Sequence, residues 1–107
     1  MELIPRFSKL NREKSGVFLS HIFTEKELIY CFSRKMPAQH LAVRFAAKEA
    51  IIKAISSLSK KTLVLNEIEI VKKSNGYPEI NLNNYNIRIS LSHCDNKAIA
   101  FVVVEKK

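Results

Sequence analysis

The stretch Arg44-Phe45-Ala46-Ala47-Lys48-Glu49-Ala50 decides how the rest of the chain must be arranged, because it lies inside a helix predicted from about Pro37 to Ser57. At about 100° per residue, Leu41, Phe45, Ile52 and Ile55 fall on one apolar arc. Val43, Ala47, Ala50, Ile51, Ala54 and Leu58 fill a second arc on roughly the opposite side, so the helix is expected to be covered on two sides. Between the arcs, Glu49, Lys53 and Ser56 share one polar wedge, while Arg44 and Lys48, one turn apart, share the other. Four charged groups therefore crowd a helix that has little open surface. On one reading Glu49 and Lys53 are an i,i+4 pair in water, worth about 0.2–0.5 kcal/mol. On the sharper reading a carboxylate flanked by cations lines a cleft where a metal and phosphates bind.

Toward the N-terminus, Thr24-Glu25-Lys26-Glu27 is a capping box: the Thr24 hydroxyl can accept the Glu27 amide, and the Glu27 carboxylate can reach back to the Thr24 amide. A short helix to about Phe32 follows. Ser33 to Met36 then connects it to Pro37, whose fixed φ suits a first helical turn. Met1 to Phe7 reads as the end of a strand running into a turn at Pro5. Arg6, Lys9, Arg12 and Lys14 form a basic, hydrophilic stretch, which reads as a solvated helix or loop face. Phe18, Ile22 and Phe23 follow as an apolar patch.

Toward the C-terminus, Ser56 to Thr62 is a polar, lysine-bearing loop, and from Leu63 the period changes to two. Ile68 and Ile70 alternate with Glu67 and Glu69, Asn75-Gly76 signals a hairpin turn, and Tyr77 to Leu82 returns. Tyr85, Ile87, Ile89 and Leu91 face one way, with Asn86, Arg88, Ser90 and Ser92 facing the other. After a turn near Asp95-Asn96, Ala98 to Val104 is apolar almost throughout and predicts a strand buried on both faces. The C-terminal half is thus expected to be an antiparallel β-sheet packed on the long central helix, an α+β arrangement.

The 107 residues read as a single domain, 1–107, with 47% apolar and 26% charged residues, ordinary proportions for a soluble globular chain. Cys31 and Cys94 have no metal-ligand spacing, and no apolar signal segment precedes them, so a reducing cytoplasm fits them best. The longest apolar stretch, Ala98 to Val104, is of strand length and excludes a transmembrane role. A formal charge of +8 predicts salt-dependent attraction to something acidic, whether nucleic acid, anionic lipid or an acidic protein.

Arg44 to Ala50, followed by Lys53, resembles the signature helix of the holo-acyl-carrier-protein synthases, which are phosphopantetheinyl transferases. Ile89-Ser90-Leu91-Ser92-His93, about forty residues downstream, is similar to that family's Ser-x-Ser-His strand end. The likeness runs from about Glu2 to Glu105. It implies the 4′-phosphopantetheinyl transferase fold and a reaction of fatty acid biosynthesis. In that reaction the phosphopantetheine arm of coenzyme A passes to a serine of acyl carrier protein, and adenosine 3′,5′-bisphosphate leaves. It also implies Mg²⁺ as cofactor, with Glu49 as its carboxylate on the helix and Lys53 on the pyrophosphate. The serine proton would go to water at the metal or to Glu49 itself. For coenzyme A the resemblance implies Lys53, His93, Arg44 and Lys48, the last two alternatively serving a subunit contact. For the acidic carrier protein it implies Arg6, Phe18 and Ile22; His21 stands where many members carry a further arginine. Active sites between the subunits of a homotrimer are implied as well.

Two departures from the family pattern stand out. Where most members carry Gly-Thr-Gly after the helix, this chain has Ser57-Leu58-Ser59, without the glycines that let a backbone approach a ligand closely. The family's first strand reads Gly-x-Asp, its aspartate a metal ligand six residues before the arginine equivalent to Arg6. Counting back six from Arg6 falls one residue before Met1. Glu2 lies two residues further on, so in an extended strand it points to the same side, displaced by roughly 6–7 Å, and is the candidate substitute. The expectation is that the chain as given binds Mg²⁺ weakly and is poorly active, its longer natural form being competent. Two competing readings follow: a catalytically weak or dead family member that binds carrier protein, and a small basic nucleic-acid-binding domain. The second wants aromatics interleaved with cations on an exposed sheet face, whereas most aromatics here sit at apolar-periodic positions. Neither nucleic acid nor membrane is therefore expected as a partner.

Overall fold

Pro37 opens the longest helix, α3 (Pro37–Leu58), at a position where proline's fixed φ and missing N–H cost nothing and no side chain caps the turn. In the computed structural model, which describes residues 2–59, 63–73, 76–80, 82, 84–94 and 96–107, α3 is covered on two sides. Glu2 and Leu3 are described by backbone alone, so Glu2's reach toward a metal lies outside the described residues. The same holds for Asn75 and Asp95 of the two expected turns and for residues 60–62 of the expected loop. On one side Leu41, Ala42 and Val43 join Phe7, Leu19, Phe23 and Leu28 in a buried cluster. On the other, Ile51 and Ile55 pack with Leu63 and Ile68.

Ahead of α3 come a two-residue strand β1 (Glu2–Leu3), a single 3-10 turn at Ile4–Phe7, and helices α1 (Arg12–Ser20) and α2 (Glu25–Ser33). Asn11 caps α1 by accepting from the Lys14 amide at 2.7 Å, which turns the basic stretch into a helix. Thr24 and Glu27 form the expected capping box of α2. After α3 come β2 (Ile70–Lys72), β3 (Pro78–Ile80), β4 (Tyr85–Cys94) and β5 (Lys97–Lys106). β4 and β5 pair antiparallel in a register that sets Ile87 against Val104, Ser90 against Phe101 and His93 against Ala98. β1 adds to the far edge of β5, and α3 packs chiefly on β5.

The architecture is α+β, with two differences from the expected sheet. The strands form two sheets, β1-β5-β4 and β2-β3, because Leu65–Glu67 winds into a 3-10 turn and buried side chains engage backbone groups of this segment. Lys48 donates to the Leu65 carbonyl at 3.2 Å, and Glu27 accepts from the Ile70 amide at 3.1 Å. β5 is also not buried on both faces. Ala98, Ala100, Val102 and Val104 turn inward, but Ile99, Phe101 and Val103 are 44%, 69% and 43% exposed, since none of the described residues covers that side. β4 alternates as its sequence pattern requires, with Tyr85, Ile87, Ile89 and Leu91 inward.

Candidate functional site

Of the residues singled out by sequence, the fold brings Arg44 and His93 together. They line one cleft of about 490 Å³ between the first half of α3, the β2–β3 hairpin and the end of β4. Ser90 and Ser92, on the outward face of β4, line it too, as do His40, Lys72 and Tyr77. Among the described residues, no carboxylate lines this cleft. A second groove of about 680 Å³ runs between β3 and the other ends of β4 and β5. It mixes Lys73, Arg88 and Lys107 with Glu79 and Glu105, and no candidate catalytic residue lines it.

Arg44 is 5% exposed. Its guanidinium lies 4.5 Å from the centroid of the Tyr30 ring and donates to the His40 carbonyl at 3.4 Å, while its Nε has no hydrogen-bond partner among the described residues. A guanidinium presents five donors, so most of this one's capacity is unspent. Burial lowers the pKa of His40 below its ordinary value of 6.5, and the neighbouring Arg44, Arg34, Lys72 and His93 push it the same way. His40 is therefore neutral at neutral pH. His93 is exposed at the end of β4.

Lys48 requires a correction. The sequence reading sets it on a polar wedge with Arg44, and the resemblance implies that it serves coenzyme A phosphates or a subunit contact. Its side chain is instead fully buried. Its Nζ donates to Glu27 Oε1 at 2.5 Å and to the carbonyls of Ile22 at 2.6 Å and Leu65 at 3.2 Å, and it lies 5.1 Å from the centroid of the Phe23 ring. Three acceptors use all three ammonium donors, so none is left for a phosphate. Burial drives the Lys48 pKa down, and the Glu27 carboxylate opposes that shift. Ile22 is corrected as well: at 7% exposure it belongs to the core beside Phe23, whereas Phe18 is 54% exposed on α1. Arg6 is exposed at the end of the first 3-10 turn.

Glu49 is half-buried and Lys53 exposed, one turn apart on α3. Glu49 follows Arg44 by five residues, about 140° around the helix, and neither Glu49 nor Lys53 lines the cleft that holds Arg44 and His93. Within one chain the carboxylate side and the cation side of the candidate site stand apart. The sequence reading missed Tyr30, His40 and Lys72 in the cleft and the burial of Lys48. The last had a signal: a lysine between Ala47 and Ile51, on a helix apolar on two sides, calls for a buried counter-charge.

A long helix packed on an antiparallel sheet, with a cleft lined by Arg44, Lys72 and His93 and by no acidic side chain among the described residues, defines the class: an α+β protein with a basic cleft. Residues 1–103 match the family model described as the 4′-phosphopantetheinyl transferase superfamily. A relative in Thermodesulfovibrio yellowstonii, named holo-[acyl-carrier-protein] synthase, is 44% identical over 103 residues, covering 94% of this chain and 89% of its own. One of the same name in Protochlamydia amoebophila is 42% identical over 94 residues, with 80% and 77% covered. Among solved structures, the Helicobacter pylori holo-[acyl-carrier-protein] synthase in complex with coenzyme A is 31% identical, with a TM-score of 0.77 over 96% of this chain and 94% of that one. The Neisseria meningitidis enzyme of that name is 28% identical and gives a TM-score of 0.79 over 98% and 93%. The chain belongs to the 4′-phosphopantetheinyl transferase superfamily.

Proposed function

We propose that this chain transfers the 4′-phosphopantetheine arm of coenzyme A to a serine of apo acyl carrier protein. The observation that carries the reading is the cleft, without a carboxylate among its described residues, in which Arg44, from one sequence block, meets Ser90, Ser92 and His93 from the other. In the transfer a bond forms between the serine oxygen and the phosphorus of the arm. The bond from that phosphorus to the departing oxygen breaks, adenosine 3′,5′-bisphosphate leaves, and the serine proton passes to Glu49 or to water beside it. Arg44 and His93 hold phosphate oxygens, the guanidinium by paired donors. Lys53 supplies charge to the pyrophosphate, and Glu49 is the carboxylate beside the reacting centre.

Mg²⁺ fits this donor set. It needs only one or two carboxylates and completes its shell with phosphate and water oxygens, and Glu49 offers one carboxylate. When bound, the ion supplies charge neutralisation at the pyrophosphate. The exposed Ile99, Phe101 and Val103 suit a homotrimer in which a neighbouring copy covers this face and brings its own cleft toward Glu49 and Lys53. Arg6 and the exposed Phe18 suit an acidic carrier protein, and such a reaction belongs in the cytoplasm.

Mass spectrometry of apo carrier protein incubated with the chain, coenzyme A and Mg²⁺ tests the reading. A gain of one phosphopantetheine arm is expected, and it is lost with Glu49→Ala. Carrier binding with no arm gained would favour the carrier-binding, catalytically weak reading instead.

A further inference from the structure

Four basic side chains converge on the ring of Tyr30, which lies on α2 and is half-buried. The guanidinium carbons of Arg44 and Arg34 lie 4.5 Å and 5.3 Å from its centroid, and the Lys72 ammonium lies at 6.0 Å. The Lys72 Nζ also donates to the Tyr30 hydroxyl at 3.4 Å. The His40 ring meets it edge-on, with centroids 5.6 Å apart and planes at 88°. These groups come from three elements: Arg34 from the end of α2, His40 and Arg44 from α3, and Lys72 from β2. Among the described residues, Arg34, Arg44 and Lys72 make no ion pair with a carboxylate.

Like charges gathered without a counter-ion repel one another, and a buried guanidinium with an unpartnered Nε is under-satisfied. The negative face of an aromatic ring relieves part of that repulsion without competing for hydrogen-bond donors as a carboxylate would. Arg44 is thereby held in the cleft wall with most of its donors unspent, and neutral His40 adds no further charge. The cluster suits a phosphate group, which supplies both the missing charge and the missing acceptors.

We propose that Tyr30 is a positioning residue for Arg44, its ring holding Arg44, Arg34 and Lys72 together to receive a phosphate group of coenzyme A. The assignment rests on the transferase reading. Tyr30 acts through Arg44, and its ring face carries the effect more than its hydroxyl.

The test compares Tyr30→Phe, Tyr30→Leu and Tyr30→Gln by calorimetric titration with coenzyme A at low salt and by steady-state transfer to apo carrier protein. Losing a partly desolvated cation–π seat is expected to raise the coenzyme A Kd and KM of the Leu and Gln variants about tenfold. kcat at saturating coenzyme A should change less than about twofold, and Tyr30→Phe should recover most of the affinity. An unchanged KM in the Leu variant, a loss confined to kcat, or a Phe variant as impaired as Leu would overturn the proposal. So would loss of the native circular dichroism in both Leu and Gln variants, which would make the ring a core residue. A wild-type chain that neither binds coenzyme A nor transfers its arm removes the transferase reading together with this one. A wild-type chain that transfers, with Tyr30→Leu its equal, removes only the role of Tyr30.

Discussion

The Glu27 carboxylate accepts from the Thr24 amide at 2.9 Å, from Lys48 Nζ at 2.5 Å and from the Ile70 amide at 3.1 Å, with its side chain fully buried. One residue thus caps α2, neutralises a lysine of α3 and anchors the start of β2. Truncating one partner of a buried pair leaves the other charge uncompensated, at a cost of about 3–5 kcal/mol. Lys48→Met should fall near the lower bound, because Glu27 keeps two amide donors. Urea unfolding measures it: a Lys48→Met chain as stable as wild type would show that the pair contributes nothing, and adding Glu27→Gln should return part of the loss. The capping role of Glu27 was legible as Thr-x-x-Glu. Its pairing with Lys48 was not, since the partners are 21 positions apart and helical periodicity does not say what faces a wedge. His40 supports a pH prediction. Burial and the facing Arg44, Arg34, Lys72 and His93 lower its pKa in the folded chain, so below pH 6.5 the unfolded chain binds the proton first. The stability contributed by neutral His40 is complete above that value and is lost as pH falls toward the lowered one. Urea unfolding over this window should show stability declining more steeply in wild type than in His40→Phe; equal slopes would sink the argument.

Among the elements, β5 shows best where sequence reading stops. Its apolar run and its pairing with β4 follow from the residues themselves, but an unbroken apolar strand does not distinguish a neighbour in the same chain from one in another. Ile99, Phe101 and Val103 therefore stand exposed on a strand expected to be covered on both faces. α3 was easier to read, because twenty-two residues with two apolar arcs leave little choice about what a helix must do. The β2–β3 hairpin falls between these cases: Gly76 takes φ 89°, as its turn signal requires, yet the hairpin forms its own small sheet, which the alternating pattern alone did not distinguish from a continuation of β4 and β5. Placing a charge at the most exposed of the three β5 residues tests the assembly. Phe101→Lys should leave the chain monomeric in sedimentation where the proposed trimer forms for wild type, with native circular dichroism retained. Because Glu49 and Lys53 do not share a cleft with Arg44 and His93 in one chain, the proposed transfer should fall with loss of the proposed trimer. A monomeric variant of full activity would show that one chain holds a complete site.

For the whole molecule, a net charge of +8 on 107 residues attracts acidic partners over one Debye length, ~10 Å at about 0.1 M salt. Its two proposed uses differ in depth, and salt distinguishes them. Arg6 and Lys9 are exposed, so attraction of an acidic carrier protein to this end is screened once the Debye length falls well below about 10 Å. Arg44 is buried against Tyr30, where screening is weaker, so coenzyme A binding should be less sensitive to the same change. Raising salt from about 0.05 M to about 0.5 M is therefore expected to lower kcat/KM for carrier protein about tenfold, with a smaller rise in KM for coenzyme A. Arg6→Glu should lower kcat/KM for carrier protein at low salt and reduce the remaining salt dependence, because one of the charges that salt screens has been reversed. Should both substrates respond with one slope, the cleft cations are solvated and the division between a surface that steers and a cleft that holds is wrong. A generic oligonucleotide that competes with carrier protein along the same steep slope would instead return the weight to nucleic acid, since phosphate neutralisation by surface cations has that salt signature.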